Sequence, residues 1–196
     1  MTGARIAGTD TRYYRCEHMA VREILLYPHP TLRQVAQPVE QVDDETRRLI
    51  EDMAETMYAA PGVGLAANQV GVLKRVFVID TAAEDEPSQL RAFVNPEIIE
   101  ASGTQTWSEG CLSFPGASED IKRAERVIVR ALDADGKPFE LEAQGLLAVA
   151  IQHENDHLNG VLMIDKLNAL RRRLLSSKLA NHAKQRPSSD SDQPGV

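Results

Sequence analysis

A mixed α+β fold is what the sequence predicts, on three observations: three stretches with apolar residues at helical spacing, short β-prone runs between the first and second of them, and turn chemistry at the changeovers. The first helix opens at Asp43 and Asp44, carries Leu49, Ile50, Met53 and Met57 on one face, and closes at Pro61-Gly62. Residues 75–80 (RVFVID) and 92–94 read as short strands, and residues 127–132 and 139–143 flank the turn-like DADGKP as a hairpin. After Gly145, the run LLAVAIQHENDHLN is apolar almost all round in its first half and stops before Gly160, which predicts a buried central helix with a glycine at its C-terminus. A last helix is expected from about Lys166 to Lys184, where Arg171, Arg172, Arg173 and Lys178 lie beside Leu167, Leu170, Leu174, Leu175 and Leu179.

At 196 residues the chain suits one compact unit large enough to bury a core. That unit is expected over residues 19–184. Residues 1–18 mix charges without apolar periodicity and read as a mobile extension, and residues 185–196 (QRPSSDSDQPGV) as a disordered tail. Hydrophobic residues make up 42% and charged residues 26%, which excludes disorder as a description of the whole chain. The net charge of −7 argues against a surface built mainly to neutralise nucleic-acid phosphates. Only Cys16 and Cys111 occur, and no signal peptide or membrane-length apolar run is visible, so a soluble protein of the reducing cytoplasm is expected.

The sharpest chemical signal is His153-Glu154-Asn155-Asp156-His157. Residues four apart share a helix face, so two imidazoles can meet one metal ion with Glu154 beside it. Two histidines and two acids on a buried helix need partners, and ligation supplies them. A catalytic site commonly has three protein ligands and an open position. The long zinc-protease pattern fails because its last ligand position holds Met163, and a downstream glutamate ligand fails because no Glu follows Glu154. Cys111, in EGCLSFPG, is the remaining strong candidate. A lone cysteine among apolar neighbours is more often a small buried hydrophobe, so the residue alone leaves the third ligand open.

Three ordered motifs carry a family resemblance: GVGLAANQ at 62–69, EGCLS at 109–113 and QHENDH at 152–157. Together with REILLYPHPTLRQVAQPV at 22–39 and the stretch 123–154, they make the chain resemble the peptide deformylases over about residues 19–168. The resemblance implies small, mainly antiparallel sheets packed around the central helix that carries HExxH, plus a C-terminal helix. It implies a metal-dependent hydrolase that removes the N-formyl group from the formylmethionine of new polypeptides and releases formate.

Residue by residue, the resemblance makes Cys111, His153 and His157 the metal ligands and Glu154 the general base and proton carrier. It makes the Gln69 side chain and the Leu112 backbone N–H the donors to the developing oxyanion. Val63, Gly64 and Gly110 are then the contacts for the substrate backbone, and Leu146 and Val149 line the methionine pocket. Ferrous iron is the implied metal, with zinc, nickel or cobalt as substitutes. Nascent formylmethionyl peptides are the implied partners, and the basic C-terminal helix is a candidate contact to the ribosome. The resemblance is weakest over GASEDIK at 116–122. Two other readings keep the same motif: a non-catalytic metal-containing module associated with the ribosome, and a metallo-endopeptidase.

Overall fold

A computed structural model describes residues 20–83 and 85–185. The expected extension at 1–18, with Cys16, and the expected tail beyond Gln185 lie outside the described residues. Helix α1 (Asp44–Ala59) starts where the sequence places it: the Asp43 carboxylate accepts from the Thr46 N–H at 2.8 Å, and Asp44 and Glu45 fill the first turn. Its apolar stripe turns Leu49, Ile50, Met53 and Met57 inward, and Pro61 follows its end.

The strands follow in the order β1 (Gly64–Ala66), β2 (Val76–Ile79), β3 (Arg91–Ser102), β4 (Gln105–Gly110), β5 (Ser118–Arg123), β6 (Arg126–Leu132) and β7 (Pro138–Gln144). All their pairings are antiparallel. They form a five-stranded sheet in the order β1-β2-β3-β6-β7 and a separate β4-β5 ribbon. The expected hairpin is β6-β7, with Asp133 and Gly136 closing its turn. Three results differ from the sequence reading. The run at 92–94 is only the start of a twelve-residue strand with two register shifts, the β4-β5 ribbon was not foreseen, and β1 forms inside the motif at 62–69, where no strand was expected.

Helix α2 (Gly145–Leu158) is buried as expected and packs on β1, β2, β6 and β7. Phe77, Phe93, Val127, Val129 and Ile151 form its core, with the Phe77 and Phe93 rings 4.7 Å apart. Gly160 ends this segment at φ 69°, and a Cβ there would meet the Arg33 carbonyl oxygen at 2.4 Å, so a side chain is excluded twice over.

Helix α3 (Ala169–Gln185) begins later than the expected Lys166, which instead ends a 3-10 turn at Met163–Lys166. The Asn168 side chain accepts from the Arg171 N–H at 3.0 Å and so sets the start. Leu175 and Leu179 bury against a cluster with Phe114, Ile121 and Leu162, whereas Leu170 and Leu174 are exposed. Among the described residues no helix is long and apolar enough to cross a membrane.

Candidate metal centre

Two elements distant in sequence build the centre. Cys111 begins the turn after β4, a turn closed by the Phe114 N–H on the Cys111 carbonyl at 2.8 Å. His153 and His157 lie one turn apart on α2, with ring centroids 5.0 Å apart at 68°. The ligand atoms of the three residues all lie within 4.8 Å of one another, and Cys111 Sγ is 3.3 Å from His157 Nε2. Among the described residues this is the only such group of metal-binding side chains.

The second nitrogen of His153 is occupied: Nδ1 pairs with Glu109 Oε2 at 2.8 Å. A carboxylate behind an imidazole fixes the ring and turns its other nitrogen toward the ligand position. Glu109 is itself gripped by Arg123, whose Nε and Nη2 donate at 2.7 and 2.9 Å, while the Arg123 Nη1 donates to Asp156. Lys166 adds a second cation on Asp156 at 3.0 Å. Burial pushes the Glu109 carboxyl up, but the Arg123 and His153 hydrogen bonds outweigh it and hold the group down at about 2. Glu109, Arg123 and Asp156 were not assigned from the sequence. Glu109 stood inside a quoted motif and Asp156 inside HENDH, but nothing in the sequence announces Arg123 as their shared partner.

Glu154 lies beside the cluster and is buried, with no hydrogen-bond partner for Oε2 among the described residues. Gly64 makes room for it, since a Cβ there would meet Glu154 Oε1 at 2.6 Å. Burial, opposed by His153 and reinforced by Glu109, pushes the Glu154 carboxyl up to about 7. Burial, aided by the charges of His153 and Arg123, lowers His157 well below its ordinary value and keeps that ring neutral. Burial opposes a charge on His153 too, yet Cys111, Glu109 and Glu154 raise it well above the ordinary value. One thiol and two imidazoles, with His157 Nε2 turned toward Cys111 Sγ and carboxylates around them, fit a divalent transition metal.

Gln69 is fixed nearby. Its Oε1 accepts from the Ala66 N–H at 2.9 Å, and its Nε2 lies 3.2 Å from Ser113 Oγ and 3.7 Å from Cys111 Sγ. The Leu112 N–H donates to no acceptor among the described residues. Every expected site residue except His157, which is buried, borders one cavity of about 780 Å³. The geometry thus brings together Val63, Gly64, Gln69, Gly110, Cys111, Leu112, Leu146, Val149, His153 and Glu154. Val63 is half-exposed at the mouth, and Val149 is buried. Trp107 and Ile24 also border the cavity and went unnoticed in the sequence. Such a space can hold an extended chain end, with Gln69, Leu112 and Glu154 on its lining beside the ligand group.

Comparison with known proteins gives one consistent result. The family described as polypeptide deformylase matches residues 21–173. A peptide deformylase of Phenylobacterium zucineum is 57% identical over 167 residues, which cover 85% of this chain and 99% of the relative. That of Alkalilimnicola ehrlichii is 54% identical, covering 85% and 93%. The crystal structure of a peptide deformylase from Legionella pneumophila superposes with a TM-score of 0.80 at 46% identity, covering 86% of this chain and all of that one. The structure of the Ehrlichia chaffeensis enzyme in complex with actinonin gives the same TM-score at 38% identity, covering 86% and 100%.

Proposed function

Starting from the chain's membership of the polypeptide deformylase family, which makes it a hydrolase that removes the N-formyl group from nascent polypeptides, we propose how its residues divide that work. Cys111, His153 and His157 hold one divalent ion, and the convergence of their ligand atoms within 4.8 Å of one another is the observation that carries the reading. The ion is ferrous iron, with zinc, nickel and cobalt able to replace it, because a thiolate with two imidazoles suits all four. When bound, it supplies Lewis acidity toward water and the formyl group.

Glu154 takes a proton from the attacking water on its free carboxylate oxygen. As the water oxygen bonds to the formyl carbon, charge grows on the formyl oxygen. The Gln69 Nε2–H and the Leu112 N–H donate to it there. Glu154 then passes the proton to the departing nitrogen, the C–N bond breaks, and formate and a free amine result. Val63, Gly64 and Gly110 guide the peptide backbone along the cavity, with β1 as an edge strand beside it. Leu146 and Val149 wall the space for the methionine side chain.

Anaerobically prepared, iron-loaded protein should release formate and free amine in equal amounts from formyl-Met-Ala-Ser. Absence of release from metal-replete protein would overturn the assignment. The endopeptidase and non-catalytic readings have no observation in their favour beside this family membership.

Action on nascent chains supports a cytoplasmic location near the ribosome, with α3 as the docking element. Leu170, Arg171, Arg173 and Leu174 are exposed on it, a basic surface with apolar footholds for ribosomal RNA or protein. Co-sedimentation with ribosomes should fall in a chain ending at Asn168. Unchanged co-sedimentation removes this role for α3.

A further inference from the structure

The Gln69 amide can stabilise an oxyanion only if it presents its nitrogen, not its oxygen, to the cavity. A side-chain amide has two orientations of nearly equal shape, so something must choose between them. Ala66 makes the first choice. Its backbone N–H needs an acceptor in this buried place, so Oε1 faces Ala66 at 2.9 Å and Nε2 faces the other way.

Nε2 still has two hydrogens to place. Ser113 Oγ lies 3.2 Å from Nε2, and Ser113 is 0% exposed with no other side-chain partner among the described residues. The remaining direction from Nε2 is toward Cys111 Sγ, 3.7 Å away, which is the side of the ligand group. The two residues are also tied through their main chains. The Leu25 N–H donates to the Gln69 carbonyl at 2.7 Å, and the Tyr27 N–H donates to the Ser113 carbonyl at 2.9 Å. Residues 25–27 thus clip the 3-10 turn Ala67–Val70, which carries Gln69, to the turn that carries Cys111, Leu112 and Ser113.

We infer that Ser113 is a positioning residue: by accepting one Nε2 hydrogen it locks the Gln69 amide so that the second points toward Cys111 Sγ and the ligand group, beside which the formyl oxygen is received. The inference rests on the oxyanion role given to Gln69 above. It implies that the two oxyanion donors are set by one turn, since Leu112 supplies its own N–H and its neighbour Ser113 aims the amide. A ground-state substrate gains little from the aim, whereas the transition state gains the full donor strength, so the effect belongs in kcat rather than KM.

The test is a double-mutant cycle of Ser113→Ala and Gln69→Ala on the full-length, metal-loaded chain, with kcat and KM for formyl-Met-Ala-Ser, metal content and thermal midpoint measured for each. Loss of a whole oxyanion donor costs about a hundredfold or more in kcat, and a mis-aimed one should cost roughly tenfold. Ser113→Ala is therefore expected to lower kcat about tenfold, with KM within about twofold and metal content unchanged. In the Gln69→Ala background the same change should cost less than about twofold. Wild-type kcat in Ser113→Ala beside a crippled Gln69→Ala overturns the positioning role and leaves the oxyanion role standing. An equal penalty in both backgrounds also overturns it, because Ser113 then acts elsewhere. Full kcat in Gln69→Ala alone rejects the oxyanion role, and the inference built on it falls too.

Discussion

Glu154→Gln should hydrolyse formyl-Met-Ala-Ser about a thousandfold more slowly than the wild type while keeping its metal, since a positioned acid-base group contributes on the order of 10²–10⁴. The substitution keeps the shape of a side chain that packs against Gly64, so the cavity wall survives. What disappears is the proton acceptor: Glu154 borders the cavity, its Oε2 has no hydrogen-bond partner among the described residues, and an amide cannot take up that proton. Formate release measured beside elemental analysis separates the two ways to fail. A variant within about tenfold of wild type would mean that another group carries the proton. Lost metal together with lost activity would make Glu154 a support of the ion instead.

Arg123→Met carries the second large effect, and it reads out in stability. The guanidinium is buried between Glu109, held at 2.7 and 2.9 Å, and Asp156. Its removal breaks a buried ion pair and leaves Glu109 with only its His153 contact, which costs about 3–5 kcal/mol. For a chain of this size that corresponds to a thermal midpoint lower by roughly 10 °C. Metal affinity should fall as well, by about ten- to a hundredfold, because the Glu109 behind His153 loses its anchor. Calorimetry and a metal titration check the pair of effects. Adding Glu109→Gln should restore part of the stability, since no charge is then stranded. A midpoint within about 3 °C of wild type in Arg123→Met alone would show that solvent reaches Glu109 more easily than its burial implies.

These two cases mark where the sequence is readable. Helices α1 and α2 were legible because burial on one face or all round writes itself into apolar spacing, and Asp43, Pro61 and Gly160 supply local stop and start chemistry. The β6-β7 hairpin was legible through its turn. Most of β3 was not: beyond Val94 its pairing with β6 is uneven, and Glu100 meets Arg126 in a charge contact on an exposed face. No apolar alternation marks such a strand. Ribbon β4-β5 is hidden for a related reason, as Thr106, Trp107 and Ser108 stay exposed and give no buried stripe.

The site divides in the same way. His153, His157 and Glu154 share one helix, so spacing reveals them, and Cys111 follows once alternatives are exhausted and the motifs are matched. Glu109, Arg123 and Asp156 come from β4, β5 and α2 and meet only after the ribbon has folded onto the helix. Ser113 was quoted inside a motif without a task, because its partner is an amide 44 residues away.

The burial of α2 has a further meaning in terms of amide exchange with solvent. A helix covered by β1, β2, β6 and β7 cannot expose its N–H groups by a local opening, so its amides follow the opening of the whole fold. The histidine amides are thus expected among the slowest to exchange, whereas the half-exposed Val63 lies in a region expected to open more readily. The core therefore holds the spacing of the two histidines, and accommodation of different chain ends falls to the exposed rim around Val63.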